Sequence, residues 1–138
     1  MTTPFDPLQF LRLAEWLAER GTTNEEWRTA CGRAYYAVFL IMRDRLYSPP
    51  LYLTPPESVV RQMLAGPVRV SIHRAVRDEV GSRNDRLAAN LAHLFWLRAQ
   101  ADYRIDLDNA LSVGWRVNAQ ESARIARRIA PRLLTLPL

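Results

Sequence analysis

The sequence predicts an all-α fold, an up-and-down helical bundle of three to four long helices with short helices between them. Three observations point there. Apolar residues recur at intervals of three and four over most of the chain, cap-type residues stand at the ends of these stripes, and no strand-like run alternates apolar with polar residues.

In the first element Leu8, Phe10, Leu11, Leu13, Ala14 and Leu17 form the stripe. Asp6 is placed as N-cap, Pro7 as the first helical residue and Gly21 as the C-terminal glycine cap, giving a helix over 7–20. Thr23 and Glu26 have capping-box spacing, and Trp27, Ala30, Ala34, Val38 and Ile41 carry a second, longer helix over 24–46. YSPPLYLTPP, residues 47–56, reads as a surface loop, because paired prolines remove donors and restrict the residues before them. Thr54 and Glu57 repeat the capping-box spacing around Pro55 and open a short helix that Gly66 closes. Another short helix is expected over 71–80, followed by a turn at Gly81, Ser82 and Asn84. Leu87, Leu91, Leu94, Phe95 and Leu97 then drive a long helix over 84–104, and a last one is expected over 108–130, ended by Pro131.

The chain of 138 residues fits one domain, 1–138, with a modest core; no internal repeat or linker divides it. Cys31 is the only cysteine, so a disulfide framework and a cysteine metal site are excluded within one chain, and a reducing, cytoplasmic setting is expected. The N-terminal segment MTTPFDPLQF is not of secretory type, and no stretch approaches the roughly 20 apolar residues of a membrane span. The net charge is +5, and all 19 basic residues are arginine. Arginine favours bidentate contacts to phosphate and carboxylate, which admits acidic partners such as nucleic acid; a GC-rich genome accounts equally well for the absent lysines. With no glycine-rich phosphate loop and no clustered metal-ligand motif, neither a cofactor nor a metal is expected.

The stretch LRAQADY, residues 97–103, interrupts an apolar helical pattern with Arg98 and Asp102. Four residues apart, the two share a helix face, while Ala99 and Ala101 leave room for another helix to approach. One reading is an ion pair that fixes packing; the other places Arg98 before a phosphate or acidic ligand, with Asp102 orienting it.

GRAYYAVF at 32–39, SIHRAV at 71–76 and LRAQADY at 97–103 resemble, in order and spacing, the three signature regions of HEPN domains, over roughly residues 5–130. The resemblance implies a helical bundle that dimerises through its two long central helices, often paired with a small nucleotidyltransferase acting as antitoxin. It also implies a metal-independent ribonuclease site, in which the family combines an arginine with a histidine a few residues later. Arg98 matches that arginine, but Tyr103 occupies the nearest equivalent of the histidine. A tyrosine, starting near a pKa of about 10, is a poor base for a ribose hydroxyl beside imidazole at about 6.5.

Two functions follow as expectations. One is a binding component of a prokaryotic toxin–antitoxin or defence module, its dimer cleft holding RNA, a nucleotide or the nucleotidyltransferase partner. The other is a metal-independent endoribonuclease using Arg98, with His73 as the titrating group if it approaches Arg98 in space. The ligand-binding candidates are Arg98, Asp102, Tyr103, Arg33 and Tyr36. His73 has the bland alternative of a solvent-facing helix-start residue, His93 reads as a satisfied bundle histidine, and Tyr35 reads as packing. Arg124, Arg127, Arg128 and Arg132 form either a basic stripe for RNA or a solvated helix face.

Overall fold

A computed structural model describes residues 6–47, 72–103 and 112–138. Among them are five helices and no strand: α1 (Leu8–Arg20), α2 (Asn24–Tyr47), α3 (Ile72–Gly81), α4 (Asp85–Tyr103) and α5 (Ser112–Leu134). The all-α bundle expected from the stripes is the observed fold. The 48–56 part of the proline-rich loop, the short helix closed by Gly66, and the expected start of the last helix at Asp108 lie outside the described residues.

The caps explain where the helices begin. Leu8 N–H donates to Asp6 Oδ1 at 3.0 Å, so Asp6 caps α1 as its sequence position requires. At α2, Glu26 N–H donates to Thr23 Oγ1 at 3.2 Å while Glu26 Oε1 accepts from Thr22 N–H at 3.2 Å, a capping box whose return bond lands one residue early. Asn84 Oδ1 accepts from Leu87 N–H at 3.0 Å and starts α4.

One helix end meets expectation and one departs from it. Gly21 is the C-cap of α1, with an extended backbone, φ −64° and ψ 150°, and its N–H donates to Leu17 O at 2.8 Å. Glycine is needed for proximity, since a Cβ there would lie 2.4 Å from that carbonyl oxygen. Pro131 does not end the last helix, which runs on to Leu134. Leu133 and, beyond the helix, Leu136 are buried in the core, and Arg45 donates to the Leu133 carbonyl. That anchoring outweighs the one backbone bond that proline removes from an exposed turn.

α2 touches all four other helices. Contacts of Tyr36 with Arg98 and of Arg28 with Ala101 set α4 antiparallel to it, whereas Arg28 over Trp115 and Arg45 at Leu133 set α5 parallel. Parallel neighbours are the diagonal pair of an up-and-down bundle, and here that diagonal is closed. Buried Ala30, Ala34 and Ala37 on α2, with Ala119, Ala123, Ala126 and Ala130 on α5, remove the bulk that would hold the two axes apart. Leu11, Leu46, Leu87, Leu91, Leu94, Ile129 and Leu133 fill the space around it, each contributing about 1.5–3 kcal/mol by burial. Val76 and Val80 attach α3 to the same core.

Candidate functional site

The helical period of α4 turns Leu94, Leu97 and Ala101 into the core and leaves Arg98 and Asp102 at its margin against α2. Arg98 Nε stands 2.8 Å from Asp102 Oδ2, with 15% of the arginine side chain exposed and 39% of the aspartate. The contact is a charge pair rather than an aligned hydrogen bond, because Nε has no partner of hydrogen-bond geometry. Such an intrahelical pair contributes on the order of 0.5 kcal/mol, so its larger effect is to restrain the guanidinium. Arg98 Nη2 also donates to Tyr36 Oη at 3.1 Å, and the guanidinium carbon lies 5.3 Å from the Tyr36 ring centre and 5.8 Å from that of Tyr103. Tyr103 is 71% exposed.

Two of the groups around Arg98 also wall a cleft of about 220 Å³, lined by Thr29, Gly32, Arg33 and Tyr36 of α2 and Asp102 of α4. Gly32 forms open floor, since a Cβ built there meets no atom within 4 Å. The Arg33 guanidinium carbon rests 4.9 Å from the Phe10 ring centre, so α1 steadies that cation. Guanidinium, phenol and carboxylate converge where a phosphate-bearing or otherwise acidic ligand would find bidentate donors.

His73 is partly buried and lies outside the cleft wall. Its ring stacks on Phe39 at 4.3 Å and lies 5.6 Å from Tyr35 and Phe95 and 6.1 Å from Tyr36, and its Nδ1 is 2.6 Å from Tyr35 Oη. Burial, followed by repulsion from Arg98 and Arg77, pushes its pKa below the ordinary value, so the neutral form is favoured. Burial also pushes the Tyr35 phenol well up, keeping its proton in place.

The structure thus brings Arg98, Asp102, Tyr103, Tyr36 and Arg33 together, with His73 joined to the group through the Tyr35–Tyr36 rings. His93 lies elsewhere, at the surface: its Nε2 is 3.3 Å from Glu121 Oε1, and its ring lies 6.3 Å from that of Trp96. Of the α5 arginines singled out in the sequence, three have different surroundings. Arg127 pairs with Glu15 of α1, Arg128 Nη2 reaches Asn90 Oδ1 of α4 at 3.4 Å, and Arg124 borders a separate depression with Val117, Gln120 and Glu121. Burial pushes the Cys31 thiol up to about 11, which leaves it unreactive.

Sequence reasoning missed the cleft roles of Gly32 and Thr29, and a glycine inside a strong helical pattern was the available signal. It also missed Arg28, which donates from Nε to the Ala101 carbonyl and so caps the end of the helix that carries Arg98. Among the described residues no three His, Cys, Asp or Glu side chains converge to hold a metal, and no helix is long and apolar enough to cross a membrane. No family model, curated protein or solved structure matches the chain.

Proposed function

We propose that this chain is a HEPN-type binding module, a component of a prokaryotic toxin–antitoxin or defence system paired with a nucleotidyltransferase, whose α2–α4 cleft takes a phosphate-bearing ligand, RNA or nucleotide. The observation that carries the reading is the restrained guanidinium. Arg98 is held by Asp102 and Tyr36 beside a cleft that also presents Arg33. A cation already ordered loses less rotamer freedom when a phosphate binds it. Exposed Tyr103 offers a ring on which a base stacks. Support also comes from convergence: the three segments that resemble the HEPN signatures supply Arg33 and Tyr36, His73, and Arg98 with Asp102, all to one region. The resemblance also implies a second copy packed along α2 and α4. Sedimentation is expected at about twice 15.9 kDa.

The test is anisotropy of a labelled single-stranded RNA, with ATP as competitor, at two salt concentrations. Losing a charge-assisted contact of about 1.5–3 kcal/mol means that Arg98→Ala and Arg33→Ala each weaken binding about tenfold or more. Arg86→Ala, at the other end of α4, is expected to bind as wild type. Equal affinity in all four proteins refutes the site.

The second reading, a metal-independent ribonuclease, is favoured by one observation: neutral His73 shares Tyr36 as a neighbour with Arg98. RNA incubated in chelator with wild type, Arg98→Ala, His73→Ala and Tyr103→His distinguishes the two. Robust wild-type cleavage that Arg98→Ala abolishes replaces the binding-only reading with this one.

A further inference from the structure

The contact between the Tyr35 phenol and the His73 imidazole has no part in ligand binding as proposed above, yet it ties a buried hydroxyl to a partly buried ring. Tyr35 is 1% exposed, and His73 Nδ1, at 2.6 Å, is the one hydrogen-bond partner of its hydroxyl among the described residues. The surroundings are rings: Phe39 at 5.8 Å, and Tyr36 and Phe95 each at 5.5 Å from the Tyr35 ring centre. A buried hydroxyl proton needs an acceptor, and burial holds that proton on the phenol. Nδ1 is the acceptor within reach, so the hydroxyl donates and Nδ1 supplies its lone pair. A neutral imidazole whose Nδ1 is bare carries its hydrogen on Nε2.

We infer that Tyr35 is a positioning residue that locks His73 in the Nε2–H tautomer, making it an uncharged hydrogen-bond donor beside Arg98 and closing it to the role of general base. The inference rests on the cleft as the site of an acidic ligand, and it says what His73 is behind that site: a neutral ring, next to Tyr36 of the cleft wall, that leaves the local charge unchanged.

The same geometry explains why His73 does not take up a proton. The proton would have to enter at Nδ1, the nitrogen already occupied by the phenol O–H. An imidazolium would set an N–H against Tyr35, whose hydroxyl would turn to accept and leave its own proton among rings. The titratable and charged groups around His73 do not compensate. Tyr35 and Tyr36 face it from α2, Arg77 from its own helix and Arg98 from α4; both guanidinium charges repel an imidazolium, and Asp102 is engaged with Arg98. Burial and these two cations depress the His73 pKa, in the direction the geometry requires.

The experiment is long-range proton–nitrogen NMR of the full chain labelled with ¹⁵N, His93→Gln serving to assign the two histidines. Expected for wild type at neutral pH is a protonated Nε2 and a bare Nδ1. Tyr35→Phe removes a hydrogen bond to the neutral ring, so the tautomers mix and the titration midpoint rises by about 0.5–1 pH unit. A dominant Nδ1–H form in wild type overturns the inference without any variant, and so does an unchanged midpoint in a folded Tyr35→Phe. Since no ligand is present, the spectra are independent of the binding assay. A wrong tautomer with Arg98-dependent RNA binding sinks this inference alone, and the expected tautomer with no such binding sinks only the site.

Discussion

Gly32 offers a way to separate what the fold needs from what the ligand needs. It stands inside a 24-residue helix, where glycine costs about 0.5–1 kcal/mol relative to alanine. A Cβ there meets no atom within 4 Å, so Gly32→Ala recovers that penalty without a clash. With an unfolding entropy of about 2.1 cal/mol/K per residue over a chain of 138, the gain corresponds to a rise of about 2–3 °C in Tm. Gly32→Leu carries three more carbons into the cleft of about 220 Å³. It is expected to keep the Tm at or above wild type while weakening RNA binding about tenfold. Thermal melting by circular dichroism and RNA anisotropy on the same three proteins give both quantities. A fall in Tm for Gly32→Ala would show that this face is packed, and a fall that depends on protein concentration would identify a second copy as what packs it. Full affinity in Gly32→Leu would refute the cleft as the ligand site.

Gly21→Ala is expected to destabilise by about 1–3 kcal/mol, because the new Cβ would lie 2.4 Å from the Leu17 carbonyl oxygen; an unchanged urea midpoint would count against that steric account. Acidification should lower stability in two steps. His73 is depressed below its ordinary value of 6.5, so below that pH the unfolded chain takes a proton that the folded ring refuses, and stability falls with pH until the folded ring also titrates. Glu15, lowered first by its hydrogen bond to Arg127, and Glu26, lowered first by the Thr22 N–H, stabilise above their ordinary 4.5 and lose that contribution as pH falls through their folded values. A His73→Gln protein should lose the first step only, and a wild-type Tm flat from neutral pH to the carboxylate range would refute the His73 assignment.

The bundle was legible because its signals are local. Asp6 at α1 and the Thr23–Glu26 box of α2 act within four residues of themselves, and the apolar stripes mark faces that any helix with that period must bury. Where the reading failed, the deciding contact came from far along the chain. Pro131 is a reliable stop only if nothing holds the turn beyond it, and what holds it is Arg45, 88 residues earlier, together with the burial of Leu133 and Leu136. Gly21 caps α1 where the sequence places it. The sequence marks a glycine after a helix, but whether it serves a left-handed backbone or a close carbonyl is a property of the turn into α2.

The same division runs through the site. The spacing of Arg98 and Asp102 shows that they pair, and the observed 2.8 Å contact follows from one helical turn. Whether that pair only fixes packing or also serves a ligand depends on what α2 sets opposite, and periodicity says nothing of that. α2 sets Tyr36 there, close enough for its hydroxyl to accept from Arg98, and next to it a glycine and an arginine that leave a cleft open. On the proposed function, the ion pair and the ligand site are not alternatives. Asp102 balances Arg98 well enough for the guanidinium to sit mostly buried, and Gly32 keeps the adjoining space open at a cost to its own helix, which is why the proposed ligand is placed there.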